Sequence, residues 1–298
     1  MDYEPSGPFD PMPARSVAER KHGSRCSSSS PHFLVDDADH EADVVRRVRE
    51  VLAVLWKERA DAIEAEACEI LGVKDLCEYF RKPGLFFADH LKRYSKSRRQ
   101  APIYWPLSTS SGSYTLWLYY QRLTSDMLFT AVNIYVEPKL DRGRRGLTEL
   151  ESQHAAASGR EATRLRERIE AEHALLTELT DFRDELLRVA ALPYRPNLDD
   201  GVIINAASLH RLFRLPKWTK DTKEVWTKLE GGDYDWAHLA YSIWPDRVRE
   251  KCRTDKSLAI AHDLEDLYVA PPASKTKRRG RTRAAPASDE TDQLEEEA

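Results

Sequence analysis

The sequence predicts a mainly α-helical protein that contains one small antiparallel β-hairpin. Three observations lead to this fold class. Apolar residues recur every three to four positions over long stretches, and charged residues make up 32% of the 298-residue chain. Aromatic and β-branched residues are concentrated in two short segments joined by a serine-rich turn. A charged fraction above the usual ~25%, combined with helical spacing, indicates long helices with a large polar surface.

Both ends of the chain have the composition of disordered segments. Residues 1–40 are rich in proline, serine and short polar side chains, and residues 270–298 contain a run of cations followed by a run of acids. Neither segment carries enough apolar surface to offset the entropy lost on ordering. We therefore predict disorder at both ends and folded structure between 41 and 269.

Helices are predicted for the first part of a folded domain at 41–192. Apolar residues follow helical spacing from 41 to 71, and Gly72 lies where a left-handed C-cap is expected. One straight helix over this stretch would be ~46 Å long at ~1.5 Å per residue. Shorter helices are predicted over 75–81 and 85–95, because a Pro-Gly pair separates these two segments.

A β-hairpin at about 103–120 interrupts the helical pattern. Residues 103–107 and 114–120 are rich in aromatic and β-branched side chains, and the turn residues 110–113 lie between them. Pro106 has no backbone N–H to contribute to a sheet, so we expect the first strand at an edge.

A long helical hairpin is predicted over about 124–191. Its first helix runs to about Leu140 and is expected to break at 141–146, where two glycines occur. A second helix spans 147–191, with a weak point at 157–159. Its near-heptad apolar stripe and flanking charges predict an antiparallel pair or a short coiled coil.

Residues 193–269 predict a small helical subdomain rich in tryptophan. The apolar run 201–204 is interpreted as a short strand or extended segment, and further helices are expected at 206–213 and 256–268. Four tryptophans fall within 27 residues, at positions 218, 226, 236 and 244.

Several enzyme and location classes are disfavoured by missing signals. The sequence has no glycine-rich phosphate loop, no GxSxG, no HExxH and no Asn/Asp-Pro-Pro-Tyr. The carboxylates nearest to a Mg²⁺ nuclease pattern are Asp199, Asp200 and Asp246. No apolar stretch approaches the ~18 residues of a membrane span, and no signal-peptide core precedes the folded part. Four widely spaced cysteines without a CxxC pair indicate a cytoplasmic protein without disulfides or structural zinc.

The strongest functional signal is the combination of cations with aromatic residues. Residues 81–99 carry seven cations and a single acid, and they lead directly into the aromatic hairpin. Cations neutralise phosphates, and exposed aromatic rings stack on unpaired bases. The alternative is that these rings form the core of the hairpin. The candidate DNA-binding residues are Lys92, Arg93, Lys96, Arg98, Arg99, Tyr104, Trp105, Lys217, Trp218, Lys220, Arg247, Arg249, Lys251 and Lys256.

The same segments resemble a known family. Residues 97–109 (SRRQAPIYWPLST), 113–119 (SYTLWLY), 198–207 (LDDGVIINAA) and 244–262 (WPDRVREKCRTDKSLAIAH) are similar to the C-terminal region of adenine-specific DNA methyltransferases. These are the PglX-type enzymes of BREX phage defence and related restriction-modification methylases. The resemblance covers roughly 41–268, with the motifs in the family's order.

The resemblance implies a role without catalysis in this chain. Family members bind S-adenosylmethionine and methylate adenine in a separate N-terminal domain, whose motifs have no counterpart here, so no catalytic residue or cofactor is assigned. The leading hypothesis is therefore a helical module that engages DNA and a separate methyltransferase subunit. The alternatives are a protein-interaction scaffold without DNA affinity, dependent on Leu176 and Leu186, or a residual Mg²⁺-dependent nuclease.

Overall fold

The computed structural model describes residues 33–97 and 99–270, and the mainly α-helical class predicted from the sequence is confirmed. Long helices surround one small antiparallel sheet. The disorder predicted for the two ends falls almost entirely on residues outside these ranges. No helix within them combines the length and the apolar character that crossing a bilayer requires.

The predicted hairpin is confirmed, but it belongs to a three-stranded sheet. Strand β1 (Phe33–Val35) pairs with β5 (Thr115–Tyr119), which pairs in turn with β4 (Tyr104–Ser108). The order β1-β5-β4 places proline-containing β4 at an edge, as expected. The prediction of disorder is wrong for β1, because this apolar triplet completes the sheet and buries Phe33 and Val35. Its pairing partner lies some eighty residues away, so local composition gives no sign of it.

The single 46 Å helix expected over 41–71 is instead a helical hairpin. Helix α1 (Val44–Trp56) and helix α2 (Ala60–Leu71) are joined by a 3₁₀ turn. Lys57 takes a positive φ of 49° there, and the chain reverses so that Arg49 and Glu64 form an ion pair at 2.8 Å. Folding back brings Val44 and Val45 of α1 and Cys68 of α2 into the main core. Gly72 has the predicted left-handed conformation, with φ 65°.

The segment before the sheet forms two short helices and a tight turn. Helix α3 spans Leu76–Arg81 and helix α4 spans Phe86–Arg93. They are followed by the two-residue strands β2 (Ser95–Lys96) and β3 (Arg99–Gln100), which pair only with each other.

The long helical hairpin is present, with a different break. After the short helix α5 (Met127–Thr130) and a wider π-helical stretch, helix α6 runs from Glu137 to Ala156 without interruption at 141–146. Helix α7 (Gly159–Ala190) begins after the predicted weak point and packs antiparallel to α6. Each internal glycine costs ~1 kcal/mol of helix propensity, which the packing of α6 on α7 outweighs.

The leucines that the scaffold hypothesis used contact this chain rather than a free surface. Leu186 is buried in the common core. Leu176 is half-buried, and its side chain lies where a Cβ on Gly143 would come within 2.8 Å of it. Both positions therefore hold α7 in place.

The regular secondary structure described between residues 193 and 270 is entirely helical. The strand expected at 201–204 is wrong: helix α8 spans Val202–Ala207 and is buried on α9, since a short apolar run fits a buried helix as well as a strand. Helix α9 is Pro216–Gly231. The remaining helices are α10 (His238–Ile243), α11 (Pro245–Cys252) and α12 (Lys256–Ala261).

One apolar core runs from Phe33 to Ala240, and a smaller cluster around Val248 and Leu258 supports the last two helices. Residues on both sides of the boundary predicted at 192/193 share the main core.

Candidate nucleic-acid interface

The basic segment 81–99 has an ion-paired beginning and an exposed end. Arg81 forms an ion pair with buried Asp36 at 2.5 Å, and Lys82 pairs with Glu78 one helical turn away. These two cations therefore stabilise the fold locally. The other described cations of this segment, which are exposed as well, are Lys92, Arg93, Lys96 and Arg99.

The exposed cations are positioned by the end of α4 and by the β2–β3 turn. Lys92 and Arg93 lie in the last turn of α4, where the negative end of the helix dipole favours positive charge. Lys96 and Arg99 face each other in the β2–β3 register. Arg98, a candidate from the sequence, lies outside the described residues.

The aromatic residues of the hairpin form core, which corrects the expectation for Trp105. Its indole is fully buried and donates a hydrogen bond to the carbonyl oxygen of Pro102 at 3.1 Å. Burial of so large an apolar surface stabilises the sheet, and leaves the ring unavailable to a base. Tyr104 is half-buried, with its ring centroid 5.1 Å from that of Tyr119.

Trp218 is likewise a core residue. Its side chain is fully buried, with ring centroids of Phe87 and Phe213 at 6.2 Å and 5.9 Å. The helical period that directs Trp218 inward leaves its neighbours Lys217 and Lys220 exposed on α9. The candidates on α9 therefore keep their two cations at the surface, while their aromatic member lies in the core.

A long-range contact links the turn that carries Lys96 and Arg99 to α9, which carries Lys217 and Lys220. The Gln100 side-chain amide donates to Asp221 at 3.0 Å, which ties β3 to the middle of α9. Lys217 lies one helical turn before Asp221, on the same side of the helix. Arg99 and Asp221 also line one depression of about 500 Å³. The six exposed cations that we call the basic face are Lys92, Arg93, Lys96, Arg99, Lys217 and Lys220.

Two of the candidates within 247–256, Arg247 and Lys251, form ion pairs inside the fold. Arg247 and Lys251 each lie 2.6 Å from a carboxylate oxygen of buried Asp235. Arg247 also donates to the carbonyl oxygens of Leu229 and Glu230, both at 2.8 Å, at the C-terminal end of α9. These bonds satisfy carbonyls that a helix end leaves unpaired. They explain why the Arg247 guanidinium lies against the end of α9, while Lys251 remains exposed.

The remaining two candidates of this segment, Arg249 and Lys256, are exposed. The guanidinium carbon of Arg249 lies 5.8 Å from the ring centroid of Tyr241. Lys256 is the first residue of α12 and is exposed.

The three carboxylates considered for a nuclease site differ in their burial and in their contacts. Asp200 is buried and accepts hydrogen bonds from the backbone N–H groups of His238 and Leu239, both at 2.8 Å, so it fixes the start of α10. Asp199 and Asp246 are exposed. In the described part of the chain, no three His, Cys, Asp or Glu side chains are grouped so that they could hold a metal ion.

An aromatic cleft beside the basic face escaped the sequence interpretation. It has a volume of about 720 Å³ and lies beside α3 and α4. The residues that define this aromatic cleft are Tyr79, Phe86, Asp89, His90, Tyr94 and the two cations Lys92 and Arg93. The signal was available in the sequence, because 86, 90 and 94 follow the four-residue spacing of one helix face.

The sequence is similar to part of a known protein. The chain is 31% identical over 188 residues to a protein of Escherichia coli O9:H4 (strain HS) named adenine-specific methyltransferase BrxX. This chain is related to part of an adenine-specific methyltransferase. The match covers 58% of this chain but only 15% of the length of that relative. No family model matches the sequence.

Proposed function

We propose that this chain is a non-catalytic, DNA-engaging and scaffolding module of an adenine-specific DNA methyltransferase system in bacterial phage defence, of the BREX or restriction-modification type. It would act in the cytoplasm beside a separate methyltransferase subunit, which would bind S-adenosylmethionine and transfer the methyl group. The sequence similarity to an adenine-specific methyltransferase supports the system, and the basic face supports the contact with DNA.

The basic face is the observation that carries the proposal. Its six cations come from two parts of the sequence more than 100 residues apart, and the hydrogen bond between Gln100 and Asp221 holds those parts together. A duplex presents one phosphate charge per ~1.7 Å of its axis, so exposed cations grouped on one surface gain most from binding it.

The test is duplex DNA binding by fluorescence anisotropy over a range of salt concentrations. We expect binding at ~50 mM salt that weakens steeply as salt rises, because bound cations release counterions from the DNA. The double variant Lys96→Glu/Arg99→Glu should lower the magnitude of the log–log salt slope by about two, roughly one per lost phosphate contact. A second variant, Lys217→Glu/Lys220→Glu, should act in the same direction.

The matched control is Arg164→Glu/Arg168→Glu, which makes the same charge change at exposed positions of α7. It should change the salt slope much less. Equal losses in all three variants would mean that only net charge matters and that the basic face is not the contact surface. Absence of any duplex binding by the wild-type chain at ~50 mM salt would refute the DNA-binding proposal.

A second candidate function, a protein-interaction scaffold, is favoured by exposed apolar residues on the helical hairpin α1–α2. Val54 on α1 and Ile70 on α2 are both 77% exposed, and Val51, Leu55 and Trp56 are exposed with Val54 in the second half of α1. Contiguous exposed apolar surface is typical of interaction sites. The variant Val54→Asp/Ile70→Asp should abolish co-purification with the methyltransferase subunit and leave DNA binding intact. Retention of that subunit by the double variant would refute the scaffold role of this surface.

A further inference from the structure

The aromatic cleft presents a row of flat rings along one side of α4. The ring centroids of Phe86 and His90 lie 5.5 Å apart at an interplanar angle of 26°, and those of His90 and Tyr94 lie 4.8 Å apart. Tyr79 closes the other side, edge-on to Phe86 at 5.7 Å. Tyr94, at the end of the row, is 40% exposed. The Tyr94 ring is tilted by 50° from that of His90, and its exposed part is open to a further flat ring.

The backbone holds this end of the cleft rigidly. The N–H of Tyr94 donates to the carbonyl oxygen of His90 as the C-cap of α4, and the N–H of Ala101 donates to the carbonyl oxygen of Tyr94 at 3.1 Å. Tyr94 thus lies at the base of the β2–β3 turn that carries Lys96 and Arg99 of the basic face.

The polar groups of the cleft include a hydrogen-bond donor in a defined state. Nε2 of His90 accepts from the backbone N–H groups of Ile103 and Tyr104, both at 3.1 Å. An imidazole that accepts at Nε2 is neutral and carries its hydrogen on Nδ1. Burial, with a smaller effect of nearby Arg93, lowers the pKa of His90 to about 4, which agrees with this neutral form.

A carboxylate acceptor lies next to this donor. Asp89 is exposed and accepts a hydrogen bond from the Tyr79 hydroxyl at 3.2 Å, which leaves its other oxygen for a ligand. Lys92 and Arg93 line the same cleft and are exposed. A cleft with aromatic rings, one acceptor, one donor and two cations offers each part of a nucleotide a partner: base face, base edge and phosphate.

We propose that the aromatic cleft binds one unpaired nucleotide of a DNA strand, with its base stacked on Tyr94 and its phosphate held by Lys92 and Arg93. The proposal rests on the proposed function, since it assumes that the basic face beside the cleft follows the DNA backbone. The ligand of the cleft differs from that of the basic face, because the cleft requires a base that lies outside the duplex stack. Base edges that carry both a donor and an acceptor suit the neighbouring Asp89 and His90.

The experiment compares three labelled probes by anisotropy with the full chain: a 12-nucleotide single strand, the matching duplex, and that duplex with a one-nucleotide bulge. Tyr94→Ala removes the stacking ring, Tyr94→Phe keeps it, and Phe129→Ala removes an exposed aromatic ring on α5 as a matched control. Thermal unfolding of each variant verifies that it is folded.

We expect Tyr94→Ala to weaken binding of the single strand and the bulged duplex about 5- to 150-fold, the range that stacking on one aromatic residue gives. Tyr94→Phe and Phe129→Ala should bind as the wild type does, and all variants should bind the plain duplex equally. If Tyr94→Ala binds the single strand and the bulged duplex as the wild type does, the proposal that the cleft binds a nucleotide is overturned. Equal weakening by Tyr94→Phe also overturns it, because the ring would then not be the contact.

These results separate the two proposals. Duplex binding that depends on Lys96 and Arg99, without any effect of Tyr94 on the other probes, retains the proposed function and rejects the nucleotide cleft. Single-strand binding that depends on Tyr94, without any duplex binding by the wild type, retains the cleft and rejects the duplex-binding role of the basic face.

Discussion

Replacement of the glycines in α6 tests whether the helix truly continues through 141–146. Gly143 and Gly146 are both internal to α6, where a glycine is unfavourable because it loses more backbone freedom than alanine does. A Cβ added at Gly146 meets nothing within 4 Å, whereas one added at Gly143 comes within 2.8 Å of Leu176 and 2.9 Å of Glu172 on α7.

The two substitutions should therefore differ in effect on the free energy of unfolding. Gly146→Ala gains helix propensity without contact changes, so we expect stabilisation by about 0.8–1 kcal/mol. Gly143→Ala gains the same propensity, but the Leu176 side chain must shift from its preferred rotamer, at about 0.5–1.5 kcal/mol, while the flexible end of Glu172 moves at little cost. The net effect at Gly143 should be close to zero or destabilising.

The assay is urea unfolding followed by circular dichroism at 222 nm, supported by thermal melting. A gain of about 1 kcal/mol should raise Tm by about 2–4 °C for a folded unit of this size. Gly159→Ala serves as the control, because Gly159 has a left-handed φ of 62° that costs alanine about 1–2 kcal/mol.

Two results would contradict this reasoning. If Gly146→Ala fails to stabilise the chain, residues 141–146 form a break, as the sequence alone suggests. If Gly143→Ala stabilises as much as Gly146→Ala, then α6 and α7 do not approach closely at that position.

Three further predictions follow from buried groups. Leu186→Ala should lower the free energy of unfolding by about 2–5 kcal/mol in urea titrations, because it opens a cavity in the core; a loss below 1 kcal/mol would contradict this packing. Asp37→Asn should destabilise by about 1–3 kcal/mol in the same assay, since buried Asp37 pairs with Lys139 and Arg142; no loss would show these pairs to be unimportant. Burial lowers the pKa of His90 from 6.5 to about 4. The free energy of unfolding should therefore fall by up to about 3 kcal/mol as the pH drops from 6.5 to 4, because the unfolded chain gains a proton that the folded chain does not. His90→Gln should flatten that part of the stability–pH curve, and an unchanged slope would assign it to other groups.

Local pattern was sufficient for the fold class and for several boundaries. Helical spacing, the hairpin signal, the edge position of Pro106 and the end of α6 near Ala157 are all fixed by residues close together in the sequence. The same holds for Gly72, whose C-cap geometry depends only on its own backbone.

Local pattern failed where a distant partner decides the outcome. The run 201–204 fits a buried helix or a buried strand equally, and the packing of α8 on α9 selects the helix. The reversal after Trp56 depends on contacts between α1 and α2, including the pair of Arg49 with Glu64.

The candidate DNA-binding residues show the same difference between what local sequence predicts and what packing decides. The sequence by itself determined where the cations are concentrated and that aromatic residues accompany them. Only the tertiary structure decided which of these side chains face water: Trp105 and Trp218 fill the core, while Arg247 and Lys251 turn toward Asp235. The tertiary structure also places β3 in contact with α9 and forms the aromatic cleft at Tyr94. Burial and long-range pairing depend on the whole set of packed neighbours, and no short stretch of sequence contains that set.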